Sequence, residues 1–252
     1  MVINILRPGA FGDIVLTSMA VAQLPPEDEI HYYTGTPELA RHIDHPNLTA
    51  HKTEHWGSRP PGRDVILQGY APKMDHTNHL AVRFCHELGV AVPFRMLPRM
   101  RSWSPPMLGV RYITVQTTSG WSTYKDYPYF QEVLDLVGSE ILTLEIDESF
   151  TWAESLALIQ HATLHLGVDS VCQVIAAAYQ TPAVVLYGST DPSLSGFSTA
   201  INLRHSGCRP CFIDDKFANG WRCGEVCSDP CILKIPPSVV AEAVKDLLNE
   251  TN

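Results

Sequence analysis

The chain has no long apolar run. Nothing in its 252 residues approaches the roughly 20 consecutive apolar residues that a membrane-spanning helix needs. It also lacks a basic start followed by an apolar stretch and a small-residue cleavage site. Met1-Val2-Ile3-Asn4-Ile5-Leu6-Arg7-Pro8 reads as a first strand instead of a signal peptide. The expectation is a cytoplasmic protein with no transmembrane segment. Positive charge is in short supply, with 18 Lys and Arg against 27 Asp and Glu and a formal net charge of −9. That balance argues against nucleic acid as a partner, because displacing phosphate counterions needs a basic face. Attachment to anionic lipid is disfavoured on the same ground. Cysteine is scarce through most of the chain. Cys85 and Cys172 stand alone in apolar surroundings as small buried hydrophobes, and the other five lie between Cys208 and Cys231. That distribution is a local device and excludes a disulfide framework for the whole fold. Internal repeats and low-complexity tracts are absent too.

What remains is an ordinary globular composition, 45% hydrophobic and 18% charged, with enough apolar residues for a real core. Val2–Leu6 is a β-rich run broken by Pro8-Gly9-Ala10-Phe11-Gly12, and helical spacing of apolar residues follows from Asp13 to Leu24, stopped by Pro25-Pro26. Ile30–Thr34 and Asp64–Leu67 read as strands, and His76–Leu88 as a helix. Ser102-Trp103-Ser104-Pro105-Pro106 reads as a linker. Beyond it the rhythm repeats, with strands at Tyr112–Gln116, Ile141–Leu144, Leu164–Gly167 and Ala183–Tyr187. Helices are expected at Tyr129–Val137, Trp152–His161 and Ser170–Tyr179. Strand–helix–strand alternation predicts an α/β protein with parallel sheets. The best architecture is two Rossmann-like α/β/α halves facing a cleft, with ligand at strand carboxyl ends. The expected division is 1–104, 105–235 with a cysteine-rich tail, and a C-terminal helix over 236–252.

Three segments carry chemistry. In Arg7-Pro8-Gly9-Ala10-Phe11-Gly12-Asp13, Gly9 and Gly12 allow a tight turn and close approach of backbone to a ligand. Asp13 falls in the first turn of the helix, where it either caps that helix or serves as a carboxylate that accepts a proton. The run is not a dinucleotide-binding motif, because the third glycine and its spacing are missing. In the second segment, Thr117, Thr118, Ser119 and Lys125 follow a strand. Hydroxyls, backbone N–H groups and a cation there suit diphosphate oxygens, and the alternative is a solvated polar loop. In the third, Asp169 and Ser170 open an Ala-rich helix, as caps or as the mouth of a diphosphate site, and Gly188 ends a strand where a nucleotide can approach.

In order and spacing these segments resemble the heptosyltransferase family, glycosyltransferase family nine. Ile5–Thr17 is similar to its opening motif, Thr118–Pro128 to its donor-phosphate loop, and Asp169–Ala178 with Pro182–Pro192 to its nucleotide-binding signature. Cys208-Arg209-Pro210-Cys211 and Cys231–Ile235 resemble a cysteine-bearing tail found in many members. The resemblance implies a GT-B fold with a shortened first half. It implies inverting, metal-independent transfer of a sugar from a nucleotide diphosphate donor, usually ADP-heptose, to a glycan or other hydroxyl acceptor. Asp13 matches the family's base, Lys125 its phosphate-contacting lysine and Asp169 its donor-binding acid. Ser170-Val171 stands where the family usually has Thr-Gly, and Val174 where it has His.

Cys208-x2-Cys211-x11-Cys223-x3-Cys227-x3-Cys231 offers five thiols, of which four would make a tetrahedral structural zinc site. Reduced or disulfide-linked cysteines are the alternative, and no cofactor is implied for catalysis. Other readings of the whole chain stay open: a non-catalytic sugar-nucleotide or glycan-binding module, a GT-B-like epimerase, or a transferase acting on modified DNA bases.

Overall fold

The computed structural model describes residues 1–67, 79–103, 108–120, 125–207, 210 and 230–250. Strands β1 (Val2–Leu6), β2 (Glu29–Thr34), β3 (Leu48–Lys52) and β4 (Arg63–Ile66) form a parallel sheet in the order β3-β2-β1-β4. Helix α1 (Phe11–Val21) follows β1, and every residue from Ile14 to Val21 is buried. A helix that is buried all round needs partners on several sides. α1 has them in α2 (Pro37–Ala40), α3 (Leu80–Leu88) and a helix of the second half. Its two buried hydroxyls are satisfied locally. Thr17 Oγ1 donates to the Ile14 carbonyl at 2.8 Å and meets Tyr32 Oη at 2.8 Å, and Ser18 Oγ donates to the Val15 carbonyl at 2.6 Å.

The opposite face of this sheet has no helix among the described residues. The β3–β4 connection crosses it as a short 3-10 segment, Thr53–Ser58, with Trp56 edge-on to Tyr33 at 5.2 Å. Accordingly that face carries Asn4, which bonds the Pro60 carbonyl and Asp64, both at 2.9 Å.

The second sheet is also parallel, in the order β6-β5-β7-β8-β9, from β5 (Tyr112–Gln116), β6 (Leu142–Glu145), β7 (Leu164–Val168), β8 (Ala183–Tyr187) and β9 (Ala200–Arg204). Both its faces are covered, so β7 and β8 are buried at every position. On one side Ile113, Val115, Leu166 and Leu186 pack on α4 (Phe130–Val137) and the C-terminal helix α8 (Pro237–Glu250). On the other lie α5 (Trp152–His161) and α6 (Val171–Tyr179). α5 opens with a reciprocal cap, in which Thr151 Oγ1 accepts from the Glu154 amide at 3.3 Å and Glu154 accepts from the Thr151 amide at 2.8 Å. A further short helix, α7 (Pro192–Ser195), follows β8.

The halves join where α1 packs on α6, and one hydrophobic cluster runs through both, from Ile3 and Ile14 to Ile175 and Val185. Burial of one such side chain stabilises by about 1.5–3 kcal/mol. The chain between the halves is tied to the second half before it ends its run: Trp103 N donates to Gln160 Oε1 at 2.7 Å, and Tyr179 Oη to the Arg101 carbonyl at 2.8 Å. The expected parallel α/β architecture with two sheets is what the structure has. Two strands, β3 and β9, and the one-turn helices α2 and α7 add to the expected elements. The helix expected over His76–Leu88 is observed over Leu80–Leu88, and residues 68–78 lie outside the described residues. α1 ends at Val21, ahead of the expected Leu24, in a turn where Gln23 N bonds the Ala20 carbonyl.

Candidate functional site

In an open parallel sheet, ligands sit at strand carboxyl ends where the strand order reverses direction. In the second sheet that point lies between β5 and β7. The loops there are the ones singled out by sequence: Thr117–Gly120 after β5, and Asp169-Ser170 between β7 and α6. Lys125 spans them. Its Nζ donates to Asp169 Oδ2 at 2.7 Å and to the Asp169 carbonyl at 3.1 Å.

Asp169 is the hub of this end of the sheet. Its side chain is 8% exposed. Besides Lys125, Oδ2 accepts from Thr190 Oγ1 at 2.5 Å, and Oδ1 accepts from Gln173 Nε2 at 2.6 Å and Ser195 Oγ at 3.5 Å. Gln173 is fixed in turn by Tyr187 Oη at 2.6 Å. A buried carboxylate is tolerable only when paired and hydrogen-bonded, and this one is both. Ser170 occupies the cap position of α6, yet its hydroxyl makes no capping bond and instead accepts from Gln116 Nε2 at 3.4 Å. The amides that open α6 are therefore left uncapped by a side chain, which is the arrangement that favours an anion at a helix start.

Thr117 and Thr118 border an open groove of about 1040 Å³ between the β5–β6 edge and α4, shared with Asp126, Gln131, Thr143 and Glu145. Thr117 Oγ1 donates to Glu145 Oε1 at 2.6 Å, and Ser119 N to Asp126 Oδ1 at 3.1 Å. Gly188 is buried at the end of β8, two residues before the Thr190 that reaches Asp169.

The first half supplies Asp13. The cap position of α1 belongs to Ala10, with no side-chain capping bond, and the Asp13 amide donates to the Ala10 carbonyl at 3.0 Å. Asp13 therefore lies inside the first turn, and capping does not explain it. Its carboxylate Oδ2 instead accepts from Arg7 Nη2. Gly12 brings this turn to the second half. A methyl group on Gly12 would touch Val171 Cα at 3.8 Å and Val174 Cγ2 at 3.7 Å, at the very start of α6. The structure thus brings Asp13, Gly12, Ser170, Asp169 and Lys125 to one junction between the halves.

Sequence reasoning passed over Arg7, Gln173, Thr190, Tyr187 and Glu145 as individual contributors. Gln173 was recoverable, since it lies in the first turn of α6, four residues beyond Asp169 in the loop before that helix. β7 also carries His165, fully buried, with Nδ1 3.1 Å from Thr114 Oγ1. Burial pushes its pKa down to about 3, so the ring is neutral. Of the five clustered cysteines, Cys208, Cys211, Cys223 and Cys227 lie outside the described residues, and Cys231 is buried. Among the described residues no group of three or more His, Cys, Asp or Glu is placed to hold a metal, and no helix is long and apolar enough to cross a membrane.

Residues 149–221 match the sequence model of glycosyltransferase family 9 (heptosyltransferase). Lipopolysaccharide heptosyltransferase 1 of Campylobacter coli is 27% identical over 133 residues, which are 52% of this chain and 36% of that protein. The matched stretch thus spans little more than a third of the curated relative. Among solved structures, the iron-containing dodecameric glycosyltransferase TibC from enterotoxigenic E. coli H10407 superposes with a TM-score of 0.79 at 16% identity, over all of this chain and 77% of that one. The E. coli ADP-heptose lipopolysaccharide heptosyltransferase II superposes with a TM-score of 0.73 at 14% identity, over 99% of both. Residues 149–221 are thus similar to glycosyltransferase family 9, and the two-sheet fold of the chain is that of the solved heptosyltransferases.

Proposed function

We propose that the chain is an inverting, metal-independent glycosyltransferase that moves a heptose-like sugar from an ADP-sugar to a hydroxyl of a glycan acceptor. The observation that carries this reading is the junction itself. A lysine held against Asp169 at the switch point of the second sheet, and the uncapped start of α6, meet the Asp13-bearing start of α1. The donor's diphosphate lies against Lys125, the Thr117–Ser119 loop and the first amides of α6, and its nucleoside occupies the groove beside Thr117 and Thr118. TibC has been solved with ADP-D-β-D-heptose, which favours this class of donor.

In the reaction the acceptor oxygen attacks the anomeric carbon from the face opposite the diphosphate. The bond between that carbon and the phosphate oxygen breaks, and its electron pair leaves with the nucleoside diphosphate. The acceptor proton passes to Asp13. Lys125 and the α6 amides stabilise the negative charge that develops on the leaving group, the task a metal ion performs elsewhere. Domain roles follow: the first half presents the acceptor and the second binds the donor.

Thermal melting with ADP, UDP and their sugars tests the donor assignment. An ADP-type ligand is expected to raise the Tm in proportion to RT ln(1 + [L]/Kd), and Lys125→Ala to abolish most of that rise. Indifference of the wild-type protein to every nucleotide would refute the reading. Product analysis separates transfer from epimerisation, because only transfer requires an acceptor for nucleoside diphosphate to accumulate.

A further inference from the structure

Arg7, the first residue after β1, is held on several sides. Its backbone amide bonds the Tyr33 carbonyl at 2.9 Å, and the residue is 8% exposed. The guanidinium lies 6.0 Å from the Phe84 ring centroid on one side. On the other it lies against Gly9, where a built Cβ would stand 2.6 Å from Nη1, 2.9 Å from Nη2 and 3.0 Å from Cζ. Gly9 does not have positive φ, so backbone conformation is not what asks for glycine there. The space is needed by Arg7. In that slot Nη2 is delivered to Asp13 Oδ2, while Asp13 Oδ1 has no partner among the described residues.

We infer that Arg7, seated in the slot between Phe84 and Gly9, is a positioning residue for Asp13: it fixes one carboxylate oxygen and turns the other to the reacting hydroxyl. The inference rests on the transfer reading, in which Asp13 takes a proton. An opposite charge at hydrogen-bond distance also favours the ionised carboxylate, so Arg7 keeps Asp13 ready to accept. The same charge weakens Asp13 as a base, so orientation, more than basicity, is what the pair supplies. The other charged and titratable groups felt by Arg7 are Tyr32 on β2 and Arg83 and Glu87 on α3, and Arg83 and Glu87 pair with each other at 3.0 Å. Burial pulls the Arg7 pKa below its ordinary value, but a guanidinium stays charged through the neutral range.

The test follows the Asp13 side-chain carboxyl by NMR in the full chain labelled at aspartate, assigned by its loss in Asp13→Asn. Arg7→Met is expected to move the Asp13 titration midpoint up by about one pH unit or more. Arg7→Lys keeps the charge without the fork, so its midpoint stays near wild type while turnover falls about tenfold or more through misplacement. Gly9→Ala leaves Arg7 intact but pushes the flexible end of its side chain aside, and is expected to shift the midpoint in the same direction as Arg7→Met. An unmoved midpoint in folded Arg7→Met overturns the inference. If that variant does not fold, an unmoved midpoint in Gly9→Ala does so. The base reading is judged separately, by the turnover of Asp13→Asn: full turnover there removes Asp13 from the chemistry whatever Arg7 does to its titration.

Discussion

Replacing Lys125 by Met removes one charge from a pair in which Lys125 is 15% and Asp169 8% exposed at the side chain. Breaking a buried pair by deleting one partner costs about 3–5 kcal/mol, since the remaining charge is left uncompensated. Here the lower end applies, because Thr190, Gln173 and Ser195 still donate to the carboxylate. About 3 kcal/mol corresponds to a fall in Tm of about 6–12 °C for a chain of this size. The double variant Lys125→Met/Asp169→Asn has no buried charge at this point, so most of that stability returns. Donor affinity behaves differently. If Lys125 contacts the diphosphate, the double variant binds ADP as poorly as Lys125→Met alone, although it is the more stable of the two. Urea unfolding and ADP titration on the three proteins give both quantities. Recovery of wild-type ADP affinity in the double variant would refute the phosphate contact and leave Lys125 a structural counter-ion. A Lys125→Met protein as stable as wild type would refute the pair itself.

Asp13→Asn keeps an oxygen for Arg7, so the expected stability loss is only about 1–3 kcal/mol, whereas turnover with a true acceptor falls about 10²–10⁴-fold; turnover at the wild-type level would end the general-base assignment. His165 is held neutral with a pKa near 3, below the ordinary value of 6.5, so its contribution is fully present above pH 6.5 and is lost as pH falls toward 3. Between pH 7 and pH 5 that amounts to about 2 kcal/mol, which urea midpoints should show in the wild type and largely lose in His165→Gln. Gly167→Ala places a methyl 2.7 Å from His165 Nε2 and should cost about 1–3 kcal/mol by denaturation, with ADP affinity little changed. If four of the five cysteines between Cys208 and Cys231 converge on zinc, metal analysis of purified protein finds about one zinc ion per chain, lost on replacing Cys208 and Cys211 together; folded, metal-free protein would sink the zinc expectation.

Reading the sequence recovered the parts of this molecule whose environment is uniform. β8, Ala183–Tyr187, is buried at every position, so it appears as an unbroken apolar run. β3 and β9 are edge strands with no fully buried position, and the apolar–polar alternation of Leu48-Thr49-Ala50-His51 is too short, and too weak at Ala50, to mark a strand. The site divides in the same way. Asp13, Lys125 and Asp169 were visible because each follows a strand in a polar or glycine-bearing turn. Their partners were not visible, because partnership is a property of topology. Lys125 and Asp169 are 44 residues apart and meet only because β5 and β7 are neighbours in the sheet, with no strand between them. Arg7 and Asp13 are six residues apart, yet their meeting depends on a glycine at position 9 whose reason is steric and not conformational. The motif Arg-Pro-Gly-Ala-Phe-Gly-Asp therefore carries two kinds of information at once. Its second glycine lets α1 lie against the start of α6, at Val171 and Val174. Its first glycine makes room for the arginine that holds Asp13.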